Sequence, residues 1–404
     1  MLATNVESSP LLGSRALESV APGVHTVGLQ GNSLAVETDE GLLIVDSGPS
    51  PHLVRPVLDQ LREQTGKSVR WIVYSHGHLG YNYGVPGFLD AAAERGEPRP
   101  TVIAHANVVH RYRRYLETAG LQNHINARQF RRPRADFPRT PPLTFPDQTY
   151  TESLTLGSTG RTVRLLWAPS ETDDVTAVWL PRERILYASA AVISGIPNIG
   201  TPMRTLRDPV RWADTLDRLA ALRPALVIPE FGPVIREGAA GQLTATAAAL
   251  RWLRQAVVER LNQGRGVDDI VHDLDYPAEL FDVPWMRENY GHREYIVRDI
   301  ARSETGWWDG NPTHLHPARP ADAAAIRAEA ITDRQAVLDT ATRLRDTGRI
   351  QDALHVIDLL ALAPGDDPHV VRARQLKGDL CALRKEEISS YVSRSCYEVA
   401  TDAG

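Results

Sequence analysis

Short runs of apolar residues broken by turn-forming residues dominate the first third of the chain. Residues 24–27, 33–38 and 41–46 each read as a strand, and Asp39-Glu40-Gly41 supplies hairpin chemistry between the second and third. Val54, Val57, Leu58 and Leu61 fall at helical spacing and predict a helix over 54–65. The next strand, 68–74, ends abruptly at Ser75-His76-Gly77-His78. A helix over 86–95, a buried strand over 101–105 and a helical, Arg- and Tyr-rich stretch over 110–130 follow. The prolines of 131–148 predict irregular chain.

A second β-rich half comes next, with strands at 154–156, 162–167, 175–180 and 184–188. Trp212, Leu216 and Leu219 mark an amphipathic helix over 208–222, and a strand over 225–228 runs into Pro229-Glu230-Phe231-Gly232-Pro233. From Gly241 onward the periodicity is helical, beginning with a long helix over 243–262. A linker, Gly306-Trp307-Trp308-Asp309-Gly310-Asn311-Pro312, precedes helices at 334–345, 350–362 and 368–383. Stacked helix pairs of this kind pack on a neighbour, often a second subunit. The change of pattern predicts two domains, 1–240 and 241–404, consistent with a length beyond what one core usually serves.

Composition alters this picture little. A hydrophobic content of 42%, a charged content of 24% and a net charge of −5 are those of a globular protein without the basic footprint of a nucleic-acid binder. No apolar run reaches the roughly 20 residues of a membrane-spanning helix. Residues 1–22 have neither a basic n-region nor an apolar core, so a cytoplasmic location is expected. Cys381 and Cys396, both late in the chain, make neither a disulfide framework nor a Cys-rich zinc site and read as reduced thiols.

The candidate chemistry sits at His76 and His78. Two histidines spaced i, i+2 after a strand can curl onto one point, and strand ends are where layered α/β folds build their sites. A zinc-type site needs at least a third ligand. Glu171-Thr172-Asp173-Asp174, on a turn between two later strands, is the best supplier. His105 and His110 read as packing or hydrogen-bonding residues.

Residues 41–48 (Gly-Leu-Leu-Ile-Val-Asp-Ser-Gly), the strand into Ser-His-Gly-His and the later Glu-Thr-Asp-Asp together resemble a metallo-β-lactamase-fold protein. The Trp-Trp-Asp-Gly-Asn-Pro string and Asn126-Ala127-Arg128-Gln129-Phe130 are similar to the alkyl sulfatase branch and its dimerisation region. The resemblance runs from about Gly23 to past Leu380. It implies an α/β protein: a four-layer αββα sandwich followed by an all-helical C-terminal dimerisation region, and hence a homodimer. The sterol-carrier-like domain that ends many alkyl sulfatases is not expected, because the sequence stops after the helices.

The resemblance also exposes departures. The superfamily pattern His-x-His-x-Asp-His serves two metals, and here its last two ligand places hold Gly80 and Tyr81. The place of the bridging acid falls on Ala190 and that of the late histidine on Phe231. His76, His78 and Glu171, which match the first-metal ligands, remain. The resemblance therefore implies one divalent metal per chain, zinc by the habit of the fold, with an Fe(II) two-His-one-carboxylate centre as the alternative. Tyr81 either moves a proton or holds a substrate oxygen, or only fills the vacated volume. Glu230 reads as a base, a fourth ligand or a solvent-facing residue. Tyr83, Asn126 and Arg128 are expected on the substrate side, with Arg128 gripping an anionic group through a bidentate fork. Arg111 and Arg114 read as a solvated helix face.

Three functions stay open at this point. The first is hydrolase- or lyase-type chemistry on a small anionic organic substrate. Efficient sulfatase turnover is not expected, because the bridging hydroxide is the nucleophile in such relatives. The second is an iron-dependent oxidative enzyme of specialised biosynthesis, and the third a non-catalytic dimeric scaffold. Neither nucleic acid nor membrane is expected as a partner, and no residue pattern names the substrate.

Overall fold

A computed structural model describes residues 17–157 and 160–401, with side chains up to 398; of the residues read above for a signal, 1–16 lie outside the described part. A meander of β1 (Glu18–Ala21), β2 (Val24–Val27), β3 (Ser33–Thr38) and β4 (Gly41–Val45) opens the first sheet. It continues in parallel through β5 (Val69–Val73), β6 (Thr101–His105) and β7 (Gln148–Tyr150), giving seven strands in sequence order. The crossovers are α1 (Val54–Gln64), α2 (Val85–Glu94), and the pair α3 (Asn107–Glu117) and α4 (Ala119–Gln129). The stretch read as one helix over 110–130 is thus two, broken at Thr118.

The second sheet has five strands in the order β12 (Leu226–Phe231), β11 (Ile185–Ile193), β10 (Thr176–Leu180), β9 (Val163–Trp167) and β8 (Ser153–Leu156). The β11 strand runs well past the 184–188 read from sequence, because Ala188-Ser189-Ala190-Ala191 carries little strand signal of its own. Helix α5 (Pro209–Ala221) joins β11 to the parallel β12.

Hydrophobic burial sets three interfaces and so four layers. Val45, Val73 and Ile103 of the first sheet meet Leu165, Val178, Tyr187 and Ile228 of the second. On the outer face of the first sheet, Leu58, Leu61, Phe88 and Val108 cover Ile44, Ile72 and Ala104. Outside the second sheet, α5 and α6 (Ala239–Asn262) bring Trp212, Leu216, Leu250 and Leu253 onto Ala177, Trp179 and Leu186. The result is an αββα sandwich in which β5 is buried on both faces apart from Arg70, so it reads as an apolar run.

Helices α7 (Val267–Asp273), α8 (Ala278–Phe281) and α9 (Arg293–Glu304) extend the outer core through Ile270, Phe281, Ile296 and Ile300. Helices α10 (Pro320–Glu329), α11 (Arg334–Asp346), α12 (Ile350–Ala361) and α13 (Pro368–Glu387) then form a core of their own, with Leu338, Ala341, Ile357, Leu360, Ala373 and Leu380 inside. The last helix, α14 (Tyr391–Thr401), returns to the sandwich and packs on α4. Trp307 and Trp308 are exposed on this chain. Among the described residues no helix is long and apolar enough to cross a membrane.

Candidate metal centre

Two strand ends and one helix hold the His76-Gly77-His78 loop. Asp46, just past β4 and at φ 60°, accepts the Ser75 N–H at 2.9 Å and the Asn82 side-chain amide at 3.1 Å through one oxygen. Asn82 in turn accepts the Ser47 N–H at 3.2 Å, tying the ends of β4 and β5 together. From the second sheet, Thr176 donates its N–H to the Ser75 carbonyl at 2.7 Å. Asp174 Oδ2 accepts from the Gly77 N–H at 3.0 Å and from Arg111 Nε at 2.7 Å.

This frame turns both imidazoles inward. His76 is fully buried, with Nδ1 2.9 Å from the Ser75 hydroxyl and Nε2 2.8 Å from His78 Nδ1. Glu171 Oε2 stands 3.7 Å from His78 Nδ1, and His76, His78 and Glu171 can each offer a ligand atom within 4.8 Å of the others. Burial lowers the His76 pKa to about 4, partly opposed by Glu171 and Asp174. The His78 pKa is also well below its usual value, through burial first and then the neighbouring His76, Arg111, Arg207 and Arg204. Both rings are therefore neutral at physiological pH, which is their ligating form. Two neutral imidazoles and a carboxylate converging from two sheets fit a divalent cation of the zinc type, with coordination left over for another ligand.

Glu171 is fixed from behind. Its Oε1 accepts from Asn198 Nδ2 at 3.0 Å and pairs with Arg207 Nη1 at 2.9 Å. Arg207 also bonds the Asn198 carbonyl, and its N–H donates to Asp299 of α9 at 2.9 Å. Arg204, on the same irregular segment between β11 and α5, donates Nε to Gln129 Oε1 and Nη2 to Asn126 Oδ1, each at 2.8 Å. The guanidiniums of Arg111, Arg207 and Arg204 thus all lie near enough to help depress the His78 pKa.

The places that resemblance assigns to a second metal are filled differently. Gly80 sits at φ 90° with open space where a side chain would begin. The buried ring of Tyr81 lies 4.3 Å from that of His76, with Glu230 beside it. Ala190 is buried in the outer core, and the Phe231 ring lies against the Gly31 turn. Glu230 does not face solvent: it is 1% exposed, with Oε1 unpartnered and 3.8 Å from His76 Nε2. Burial and the nearby Glu171 push its carboxyl well above the usual range.

Two arginine readings need correction. Arg128, expected as the anion anchor, is exposed and lies near Cys396 of α14. Helix α4 turns its Asn126 and Gln129 side inward, and those two amides hold Arg204. Arg111, read as part of a solvated face, keeps only 14% of its side chain exposed because Asp173 and Asp174 pull it inward. Tyr83 is half-buried beside the Gly80 backbone, with Tyr115 raising its pKa along with burial. His105 bonds the Thr151 carbonyl at 2.7 Å and stacks on Trp167, a packing role as expected. Asn198, Arg204 and Arg207 were not read from sequence. Their only local signal is two arginines spaced i, i+3 ahead of the Asp208-Pro209 helix start.

Residues 26–230 match the model of the metallo-beta-lactamase superfamily, and 266–403 that of the alkyl sulfatase dimerisation region. The chain belongs to the metallo-β-lactamase superfamily. Among characterised members it is similar to a linear primary-alkylsulfatase of a Pseudomonas species, 30% identical over 309 residues, covering 72% of this chain and 58% of that protein. It is also similar to the alkyl/aryl-sulfatase BDS1 of Saccharomyces cerevisiae, 24% identical over 91% of this chain and 60% of that one. The metallo-β-lactamase fold is shared with the stereoselective inverting sec-alkylsulfatase Pisa1 from Pseudomonas sp., with a TM-score of 0.81 at 21% identity, over 96% of this chain and 65% of that one. The chain thus spans about three fifths of the curated relatives it matches.

Proposed function

We propose that this superfamily member is a one-metal enzyme, hydrolase- or lyase-like, acting on a small anionic organic substrate and poor at turning over alkyl sulfates. The observation that carries the reading is the asymmetry of the site. His76, His78 and Glu171 converge as neutral imidazoles plus a carboxylate, whereas the second-metal places carry Gly80, Tyr81, Ala190 and Phe231.

His76, His78 and Glu171 would hold the cation, zinc by the habit of the fold. Once bound, it supplies Lewis-acid polarisation of a substrate oxygen or acidification of a water. The chain's own residues do the rest. Arg204, a largely buried cation with no carboxylate in ion-pair range among the described residues, engages the anionic group of the substrate. Asn126 fixes its Nη2, and the half-buried Tyr83 would line the substrate side as well. Tyr81 Oη and the neighbouring Glu230 carboxyl hold the proton that passes to or from the reacting group. Arg207 holds Glu171 in place facing His78. The helical region, with Trp307 and Trp308 exposed on the single chain, would pair two copies into a homodimer.

The two-His-one-carboxylate set is also that of an Fe(II) centre, so the metal content decides between hydrolytic and oxidative chemistry. A panel of small sulfate, phosphate and carboxylate esters, assayed with metal-replete and chelated protein, tests the reading. Metal-dependent turnover of some member, lost in His76→Ala and weak on linear alkyl sulfates, is expected. Turnover that ignores both chelation and His76→Ala would overturn it.

A further inference from the structure

The Arg204 guanidinium is set by a chain of contacts that ends in the C-terminal helix. Gln129 accepts Arg204 Nε through Oε1 at 2.8 Å and donates through Nε2 to Tyr290 Oη at 2.5 Å. A guanidinium only donates, so Gln129 must turn its oxygen to Arg204, and Tyr290, taking the N–H end, holds the amide in place. Tyr290 precedes α9, and its ring lies nearly parallel to that of Tyr391 on α14, at 9° with 5.8 Å between centroids. Helix α14 is fastened to the same segment by backbone. Tyr391 donates to the Asn289 carbonyl at 3.1 Å, Val392 to the Tyr290 carbonyl at 3.2 Å, and the Ser390 hydroxyl to that same carbonyl at 2.8 Å.

A second fastening runs from α14 to the end of α4. Arg131, two residues past Gln129, lies over the Tyr391 ring at 4.7 Å and pairs with Glu398 at 2.9 Å. Asn126, Gln129, Tyr290 and Tyr391 are all at least nine-tenths buried, so the contacts among them and the stacked rings are interior ones, while the Arg131–Glu398 pair lies at the edge.

We infer that Gln129 and Tyr290 are positioning residues for Arg204, and that α14 locks them, so that the helical region shapes the anion seat of its own chain as well as meeting a partner. This rests on the proposed role of Arg204. A guanidinium presents its remaining N–H groups to an anion in one plane, and tilting that plane costs the bidentate geometry before it costs the fold.

The test is sulfate binding to the full, metal-replete chain by calorimetry, with metal content and thermal melting recorded for every variant. Gln129→Leu should weaken sulfate binding by about tenfold, as expected for a lost hydrogen bond to a charged group, and Tyr391→Ala, which removes the ring that holds Tyr290, should weaken it in the same direction. Tyr391→Phe, which keeps the stacked ring, should bind as the parent does. Metal content should stay at the parent level throughout, which a general loosening of the sandwich would not allow. Should Tyr391→Ala melt too early to measure, Gln129→Leu alone carries the test. If Arg204→Ala loses sulfate while Gln129→Leu keeps it, the positioning inference falls and the role of Arg204 stands. If the parent chain binds no sulfate, or Arg204→Ala binds it unchanged, both fall.

Discussion

Asp174 receives the backbone N–H of Gly77 at 3.0 Å, so a carboxylate of the second sheet holds the middle of the histidine loop of the first. The contact leaves no room between them: a Cβ on Gly77 would come within 2.8 Å of the same oxygen. Arg111 shares that oxygen at 2.7 Å and keeps the buried carboxylate ionised, its pKa held below the usual range against the effect of burial. Asp174→Ala should therefore leave Arg111 with only the half-exposed Asp173 as its ion-pair partner and free the loop. The expected loss is about 3 kcal/mol of stability, with a 10- to 100-fold weaker metal site on the order seen for outer partners of metal ligands. Urea unfolding and a metal titration read the two effects, and parent-like values in both would remove Asp174 from this role.

Asp46 carries the pH dependence that the frame predicts. Burial raises its pKa to about 7, above the roughly 3.9 of an unfolded chain. Between these values the folded state binds the extra proton, so this residue's stabilisation is complete below pH 4 and is lost as pH rises toward 7. Asp46→Asn keeps the acceptor for Ser75 and Asn82 and removes the titration. The variant should match the parent at acid pH and gain on it by about 1 kcal/mol per pH unit across the window. Parallel melts at pH 5 and pH 8 would reveal this, and a constant difference would contradict it.

Tyr81→Phe separates the two readings of that side chain. The ring packs 4.3 Å from His76 and should hold its place without the hydroxyl, so metal content should not change. If the hydroxyl moves a proton, turnover of any active substrate should drop by about 10²- to 10⁴-fold. Unchanged turnover would leave Tyr81 as a filler of the vacated volume.

The exposed aromatic arm predicts assembly. Trp307 is 71% exposed and Ile326 64% exposed on the single chain, which is unusual for large apolar side chains unless a surface covers them. Sedimentation at micromolar concentration should give a dimer, and the pair Trp307→Glu and Ile326→Glu should shift it toward monomer. A monomeric parent would refute pairing through this face.

The parts of the site that were legible in sequence are those built from near neighbours. His76 and His78 are two residues apart, and the strand before them is an apolar run because β5 is covered on both sides. Glu171 was found from a cluster of acids on a turn. Its partner Arg207 was not, since the segment from Ser194 to Asp208 has no periodicity and finds its place by contacts distant in sequence, among them those to Gln129, Asn289 and Asp299. Arg128 and Arg111 were misread for one reason. Helical spacing tells which residues share a face, but the burial of that face is decided by partners, here Asp174 for Arg111 and α14 for the end of α4. The extra length of β11 was hidden in the same way, by pairing with β12 that outweighs weak local preference.

The central claim, one metal in a site descended from two, is tested most directly by elemental analysis of protein purified without added metal, read beside His76→Ala. About one zinc or iron per parent chain, falling to under a tenth in His76→Ala, is the predicted result. Two metals per parent chain, or an unchanged content in His76→Ala, would contradict it.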